Sequence, residues 1–300
     1  MPPLHVGLKL APQIYPIATH RAVWRIADDA GFDGLWGFDH LYALGADPAQ
    51  PIFDGWTMLA AMAEATKRVR LGLMVAGNLY RHPALHAKIG ATIDHLSGGR
   101  LEFGIGAAWN EPEFAQLGIE FPPLGERLGR LGEAVRLIKR LWTRERTTFA
   151  GRYYTLTDAI AEPKPLQKPY PPIWIGGSGP QRTLKIVARH GDVWNSNAGE
   201  MEKTIALSKV LDEHCRTVGR DPSAVRRSVQ FRLTTADEAL KTAEAYLRAG
   251  FTEHIVLLGG PDPVKNAELA AKELLPRMRR LGYAPSFAVL TSSTSANIPI

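Results

Sequence analysis

The sequence has 300 residues, of which 45% are hydrophobic and 22% charged, the composition of an ordinary globular protein. This length suits one large α/β domain, so we expect a single domain over residues 1–285 and a flexible tail over residues 286–300. The sequence contains no run of about 18 apolar residues and no amino-terminal secretory pattern. These features exclude a predicted membrane span and favour a cytoplasmic protein.

The net charge of +6 comes from basic residues scattered at helix ends and on polar helix faces. Because they form no single basic stripe, the sequence does not predict a nucleic-acid-binding surface. A mild positive balance does suit an anionic small molecule. The lone Cys215 has no partner for an internal disulfide, so we expect it to be chemically inert.

In chain order, short apolar segments alternate with longer amphipathic ones, the pattern of a parallel sheet covered by helices. Predicted strands span residues 5–10, 32–38, 69–75, 100–106, 172–177, 191–196, 226–233 and 253–259. Predicted helices span residues 21–31, 55–67, 84–96, 126–142, 182–190, 202–219, 236–250 and 263–282. Eight such units predict an α/β fold of the (β/α)8 TIM-barrel type.

Glycines at the predicted helix ends support this order of helices and strands. Gly31, Gly191 and Gly250 each follow a helix and precede a strand, as helix-capping glycines do. An insertion before strand five, at about residues 143–171, is predicted to form a hairpin that turns at Ala150-Gly151, followed by a proline-rich connector. We expect the insertion to form a lid or an edge and to help cover the substrate.

Residues that follow the strands are the candidates for chemistry, because barrel enzymes place their active sites at the carboxyl ends of the strands. Asp39 and His40 follow strand two. A histidine titrates near neutral pH and can move a proton, with the carboxylate beside it. The alternative is a hydrogen-bonded histidine that only ends the strand, and the pair by itself leaves both interpretations open.

Residues 176–183, GGSGPQRT, connect strand five to a helix. Glycines let the backbone approach a phosphate, and N–H groups at a helix start point towards it, so this loop is a candidate phosphate site or simply a tight turn. Pro180 occupies the last glycine position of a nucleophile elbow, which argues against that motif. Residues 104–109 likewise lack the third glycine of the dinucleotide fingerprint.

Two other pairs of polar residues are weaker candidates. His82 and His86 are four residues apart, but no glutamate follows His82 as in a zinc-protease motif, and we predict no metal site. Glu111 and Glu113 would suit a paired-carboxylate hydrolase, although acids at a helix start are commonly partners of the helix dipole.

Four tryptophans occur at or near predicted strands. Trp36, Trp174 and Trp194 fall within them, so we expect these rings to pack in the core. Trp109 differs because it follows the glycine-rich end of strand four, where it could stack on a ligand ring.

An ordered set of motifs over about residues 5–283 resembles the luciferase-like barrel family. The motifs are FDGLW at 32–36, DHL at 39–41, YRHPAL at 80–85, DHLSGGRL at 94–101, GIG at 104–106, FPPLGER at 121–127 and the loop at 176–183. The resemblance implies an enzyme that holds coenzyme F-420, a deazaflavin, or FMN in the barrel mouth. The sequence Asp39-His40-Leu41 resembles the corresponding motif of the F-420-dependent oxidoreductase branch. In that branch the aspartate and histidine contact the cofactor ring.

The resemblance also implies the members of the site. We predict His40 as the catalytic residue. We predict that the cofactor is bound by Asp39, Met74, Val75, Ala76, Gly106, Ala107, Trp109, Asn110, Gly176, Gly177, Ser178, Gly179, Arg182 and Thr183. Residues 74–76 lie where this branch often has a non-proline cis peptide bond behind the ring.

One departure limits what the resemblance implies about the substrate. Trp109 stands where the sugar-phosphate dehydrogenases of this branch have a glutamate, so their substrate and acid are not transferred. We predict hydride transfer to or from a small organic substrate. The alternatives are an FMN-dependent monooxygenase with a partner flavin reductase, a non-catalytic flavin-binding protein, or a lyase with a phosphate ligand. The sequence leaves a homodimer open.

Overall fold

The computed structural model describes residues 3–45, 47–197 and 199–283, so the predicted tail at 286–300 lies outside the described residues. The strands are β1 His5–Lys9, β2 Gly34–Gly37, β3 Arg70–Leu73, β4 Ala76–Gly77, β5 Leu101–Gly106, β6 Thr147–Ala150, β7 Thr155–Ala159, β8 Ile173–Gly176, β9 Val193–Asn197, β10 Arg226–Arg232 and β11 Glu253–Leu257. The α-helices are α1 Ile17–Ala30, α2 Gly55–Ala65, α3 Pro83–Leu96, α4 Glu111–Gln116, α5 Leu124–Thr143, α6 Thr183–His190, α7 Met201–Thr217, α8 Ala236–Arg248, α9 Pro263–Leu269 and α10 Leu275–Tyr283. Within these ranges, no helix has the length and apolarity needed to cross a bilayer.

Eight parallel strands close into a barrel, and this confirms the predicted fold class. The strands follow one another in the order β3, β2, β1, β11, β10, β9, β8 and β5, and pairing between β3 and β5 closes the ring. Helices lie between successive strands in the sequence and pack around the barrel, as parallel connections require. All carboxyl ends of the strands therefore meet at one end of the barrel.

The predicted third strand is interrupted. It ends at Leu73, the bond between Met74 and Val75 is cis, and β4 then pairs with β5. Glycines on β5 make room for this step, because a side chain at Gly104 would overlap the Leu73 carbonyl oxygen. A Cβ at Gly106 would lie 2.7 Å from Val75 Cγ2. The glycine-rich sequence of β5 thus allows Val75 to enter the barrel mouth.

The interior of the barrel is packed with apolar side chains below this step. Trp36, Met74, Trp174, Val193 and Ile255 form one cluster, and Val75 packs on top of it. Trp36 and Trp174 are almost fully buried, as is Trp194, so the predicted core positions of these tryptophans are confirmed. This layer therefore separates the space at the carboxyl ends of the strands, which Met74 and Val75 line, from the amino-terminal end of the barrel.

Charged residues occupy the opposite, amino-terminal end. Arg226 bonds to Glu253 at 2.7 Å and to Glu102 at 3.4 Å, and His5 bonds to Glu253 at 2.8 Å. These pairs join β1, β5, β10 and β11. Partly buried pairs of this kind hold strand ends in register, and breaking one of them leaves its partner unpaired.

The insertion contains the predicted hairpin, but Ala150 still pairs with Thr155, so the turn spans residues 151–154 and does not lie at Ala150-Gly151. Strands β6 and β7 pair antiparallel in a separate two-stranded sheet. The carboxylate of Glu133 on α5 accepts hydrogen bonds from the backbone N–H groups of Arg152, Tyr153 and Tyr154, at 2.8, 2.9 and 3.3 Å. These hydrogen bonds therefore attach the turn of the hairpin to α5.

Two of the three predicted glycine caps have the left-handed conformation that favours glycine. Gly31 has φ 82° and Gly250 has φ 87°. Gly191 does end α6, but its backbone is extended, with φ −82°. The prediction of a helix end there is correct, while the reason for glycine differs: a Cβ at Gly191 would lie 3.2 Å from the Val187 carbonyl oxygen.

Candidate functional site

A cavity of about 400 Å³ opens at the carboxyl ends of the barrel strands. Most of the predicted site residues line it: Asp39, His40, Met74, Val75, Ala76, Gly106, Ala107, Trp109, Gly176, Gly177, Ser178 and Thr183. Asn110, Gly179 and Arg182 are not part of its lining. The ends of strands that are far apart in the sequence thus converge on one space, as the barrel geometry requires.

Asp39 is a buried carboxylate at the wall of this cavity, with 1% of its surface exposed. Its Oδ2 accepts hydrogen bonds from Arg81 Nη1 at 2.7 Å and from the N–H of Gly77 at 3.3 Å. Its Oδ1 is buried without a hydrogen-bond partner among the described residues. Burial raises the pKa of Asp39 to about 7, although the Arg81 guanidinium pulls it down. The carboxyl group therefore has one oxygen left to bind a ligand.

His40 is held by an acid whose role the sequence did not reveal. Its Nδ1 lies 2.9 Å from Glu113 Oε1, and Glu113 Oε2 accepts the N–H of Leu41 at 3.0 Å. The hydroxyl of Tyr80 donates to the same carboxylate. Glu113 is fully buried in α4, so His40, Leu41 and Tyr80 together satisfy its charge.

These hydrogen bonds decide the charge of Glu113. Burial raises the pKa of this carboxyl group, but the hydrogen bonds from His40, Tyr80 and Leu41 outweigh it and leave the pKa below its ordinary value. Glu113 is therefore an anion at neutral pH and acts as the acceptor. His40 Nδ1 therefore donates to this carboxylate, and Nε2 is the other ring nitrogen of a side chain that lines the cavity.

The loop after β8 supplies backbone donors to the cavity. Gly177 has φ 127°, a conformation that side chains disfavour, and its N–H donates to the Asn195 carbonyl oxygen at 3.3 Å. The N–H of Ser178 makes no hydrogen bond to a described residue. Thr183, which also lines the cavity, begins α6 with no side-chain cap. The loop thus has the free donors that a phosphate needs, but Gly177 itself is not one of them.

Arg182 points elsewhere. A Cβ on Gly125 of α5 would lie 2.5 Å from Arg182 Nη1, so the guanidinium packs against α5. It lines a neighbouring cleft between α5 and α6. Arg182 therefore does not line the main cavity, and its predicted contact with the cofactor stays a prediction.

A buried polar network that joins β1, β9 and β10 was not predicted from the sequence. Lys9 Nζ donates to the Met74 carbonyl oxygen at 3.0 Å and to Gln230 Oε1 at 2.7 Å. Gln230 Nε2 donates to Asn195 Oδ1 at 2.7 Å, and Asn195 Nδ2 donates to Ser228 Oγ at 2.9 Å. Burial lowers the pKa of Lys9 to about 7. An inward-facing lysine looks like any surface lysine in a sequence, so the only available signal was its position at the end of strand one.

The cavity rim is formed by α5 and Trp109, which corrects the expected role of the insertion. Leu124 and Leu128 line the cavity, whereas none of residues 143–171 does. The Trp109 ring lies 5.4 Å from the His40 ring, centre to centre, and 66% of its surface is exposed. The insertion therefore contributes no residue to the cavity lining, although the Tyr154 hydroxyl accepts a hydrogen bond from Asn78 Nδ2 at 3.3 Å.

The two other pairs of candidate residues have different outcomes. His82 Nδ1 accepts the N–H of Ala84 at 3.1 Å and so caps α3, while His86 is buried beside Trp56. Burial lowers the pKa of His86 to about 3. Of the two glutamates, Glu111 is exposed and Glu113 binds His40.

Comparison with known proteins agrees with this geometry. A sequence model of the luciferase-like monooxygenase family matches residues 3–284. An uncharacterised Mycobacterium tuberculosis protein is 30% identical over 276 residues, which cover 86% of this chain and 93% of the relative. The F-420-dependent glucose-6-phosphate dehydrogenase of Kineococcus radiotolerans is 32% identical over 249 residues, with 81% and 71% coverage.

The fold also matches a solved structure. An F-420-dependent secondary alcohol dehydrogenase, solved with an F-420-acetone adduct, superposes with a TM-score of 0.83 at 21% identity, covering 92% of this chain and 99% of the other. At this identity the match concerns the fold. Together with the family match over nearly the whole described chain, these findings show that the protein is an oxidoreductase of the luciferase-like monooxygenase family.

Proposed function

We propose that the protein is a coenzyme F-420-dependent oxidoreductase that transfers a hydride to or from a small organic substrate. The observation that carries the proposal is the arrangement after β2, where Asp39 offers a buried, partnerless Oδ1 and His40 is held by Glu113 beside the same cavity. The names of relatives in the same family, which are F-420-dependent dehydrogenases, support this choice of cofactor.

The cavity fits a flavin-like ring with a phosphate-bearing side chain. Asp39 Oδ1 provides an acceptor for a ring N–H, and the glycines at 106 and 176 leave room beside Val75 that a side chain would occupy. Ser178 and Thr183 offer donors for a phosphate at the start of α6. The residues present thus match the two ends of such a cofactor.

A bound deazaflavin supplies hydride chemistry, and the protein supplies binding, orientation and proton transfer. His40 would accept or donate the proton at a substrate oxygen through Nε2, while Glu113 keeps the opposite ring nitrogen protonated. Tyr80 stabilises the Glu113 anion, and its own pKa is raised by burial and by that carboxylate, so it stays protonated. The Trp109 ring lies edge-on to the His40 ring at the rim of the cavity.

Cofactor binding tests the proposal directly. The purified chain is titrated separately with F-420 and with FMN, and the fluorescence of each cofactor is followed. We expect F-420 to bind more tightly, and we expect Asp39→Asn to weaken that binding. FMN binding at least as tightly as F-420 would instead favour a monooxygenase supplied by a flavin reductase, in line with the name of the family. Binding of neither cofactor would refute the flavoenzyme assignment.

A further inference from the structure

A cleft of about 460 Å³ lies between α5 and α6, next to the proposed cofactor cavity. Leu128 lines both spaces. Thr183 lines the cavity, and its neighbour Arg182 lines the cleft. The loop that offers donors for a phosphate thus lies on the boundary between the two. A ligand held by that loop could extend from the cavity into the cleft.

The cleft carries a cluster of cations without anionic partners. Arg136, Arg182, Lys185 and Arg189 line it, and none of them forms an ion pair with a described carboxylate. Some other arginines on helices do have such partners, for example Arg130 with Glu126 at 2.6 Å. A concave surface lined by one sign of charge concentrates ligands of the opposite sign.

The described lining of the cleft has more cations than acids and is therefore positively charged. Among the described residues that line the cleft, Glu133 is the only acid, and its oxygens accept the three backbone N–H groups of the hairpin turn. The positive field also reaches His190 at the far end of the cleft. Burial, together with the charges of Lys139, Arg136 and Arg189, lowers the pKa of His190 to about 4.

We propose that this cleft binds the anionic oligoglutamate tail of F-420, whose phosphate would lie on the loop at residues 176–183. The inference rests on the proposed function, because it concerns the part of the same cofactor that extends beyond the cavity. It requires a chain of carboxylates that starts at the phosphate. The cleft supplies cations along such a path, from Arg182 at the loop to Lys185 and Arg189 one and two turns along α6.

The test compares three deazaflavins by fluorescence titration: F-420 with several glutamates, the form with phosphate but no glutamate, and the ring with only its ribityl alcohol. We expect the glutamate-bearing form to bind the parent protein roughly 3- to 30-fold more tightly than the glutamate-free form, from a few exposed ion pairs. This preference should shrink as salt is raised, because the cleft is open to solvent.

The key variant is Lys185→Glu with Arg189→Glu, two exposed positions four residues apart on α6. It should lose the preference for the glutamate-bearing form, and the glutamate-free form should bind as before. Lys185→Gln with Arg189→Gln should lose part of the preference. The matched control is Arg21→Glu with Arg25→Glu, also exposed and four apart, on α1. The control should keep the full preference because α1 follows β1, four strands away from β8 around the barrel.

The outcomes distinguish failure of the proposed tail site from failure of the proposed function. Equal affinity of the parent for the glutamate-bearing and glutamate-free forms would overturn the tail site and leave F-420 binding intact. An unchanged preference in both α6 variants, folded as judged by circular dichroism, would also overturn it. No binding of any of the three deazaflavins would refute both the site and the proposed function.

Discussion

Replacement of Glu113 by glutamine would test how His40 is prepared for proton transfer. The carboxylate accepts three hydrogen bonds, from His40 Nδ1, Leu41 N–H and the Tyr80 hydroxyl, and it is fully buried. Glutamine has nearly the same size, but one of its two terminal atoms is an NH2 donor. If its oxygen keeps the bond to Leu41, the NH2 group faces His40 and Tyr80.

The magnitude follows from these contacts. A hydrogen bond to a charged group is worth about 1.5–3 kcal/mol, and the Tyr80 hydroxyl can rotate to accept instead of donate. We therefore expect a net destabilisation of about 2–3 kcal/mol, which lowers the melting temperature by roughly 3–5 °C in a chain of this size. Facing an NH2 group, His40 would accept at Nδ1 and carry its proton on Nε2. Turnover with saturating cofactor should then fall by about 10²-fold or more.

The assay has two parts, thermal unfolding without ligand and single-turnover change of cofactor absorbance with a substrate found by screening. Glu111→Gln is the control, because Glu111 lies two residues away on α4, is exposed and does not line the cavity. It should leave both the melting temperature and the turnover near the parent values. A Glu113→Gln variant that melts and reacts like the parent would show that the carboxylate neither stabilises the site nor orients His40.

Three further changes test other parts of the site. His40→Asn, which cannot exchange a proton near neutral pH, should lower turnover by roughly 10²–10⁴-fold with little change in cofactor affinity, and parent-like turnover would leave His40 as a contact only. Gly177→Val should weaken cofactor binding in titrations, since φ is 127° and a Cβ would lie 3.1 Å from Thr183 Cγ2, and full affinity would place the phosphate elsewhere. The raised pKa of Asp39 means that this carboxyl group binds more protons in the folded protein than in the unfolded chain between about pH 4 and pH 7, so its own contribution to stability should fall as pH rises through this range. Buried histidines with lowered pKa, such as His86 and His190, act with the opposite sign in parent and variant alike. Denaturant unfolding at pH 5 and pH 8 should therefore show a change in the free energy of unfolding that is less favourable in the parent than in Asp39→Asn; equal changes would contradict the assignment.

The barrel could be predicted from the sequence because its signals are local. Each strand is a short apolar run, each helix has an amphipathic pattern, and the site residues follow the strands directly. Asp39, His40 and four residues of the loop, at positions 176–178 and 183, therefore appear in the cavity lining as expected. What the sequence could not supply is the direction of a long side chain. Arg182 belongs to the expected loop, yet its guanidinium lies on α5.

Contacts between distant segments were also beyond the sequence. Glu113 is 73 residues from His40, and its position in the first turn of a short helix is explained just as well by the helix dipole. Lys9 bonds to Gln230, 221 residues away, through the barrel interior. Such pairs become visible only when the closed barrel brings the strand ends together.

The exposure of Trp109 gives the molecule an internal optical reporter. The other six tryptophans, at positions 24, 36, 56, 142, 174 and 194, are at most 4% exposed, whereas Trp109 is 66% exposed at the rim of the cavity. An indole in contact with water emits at longer wavelengths than a buried one and is reached first by a dissolved quencher such as acrylamide. The long-wavelength part of the intrinsic fluorescence should therefore come from Trp109 at the cavity rim, and it should disappear in Trp109→Phe. This emission should also change when a ligand fills the cavity, so binding can be followed without an attached label.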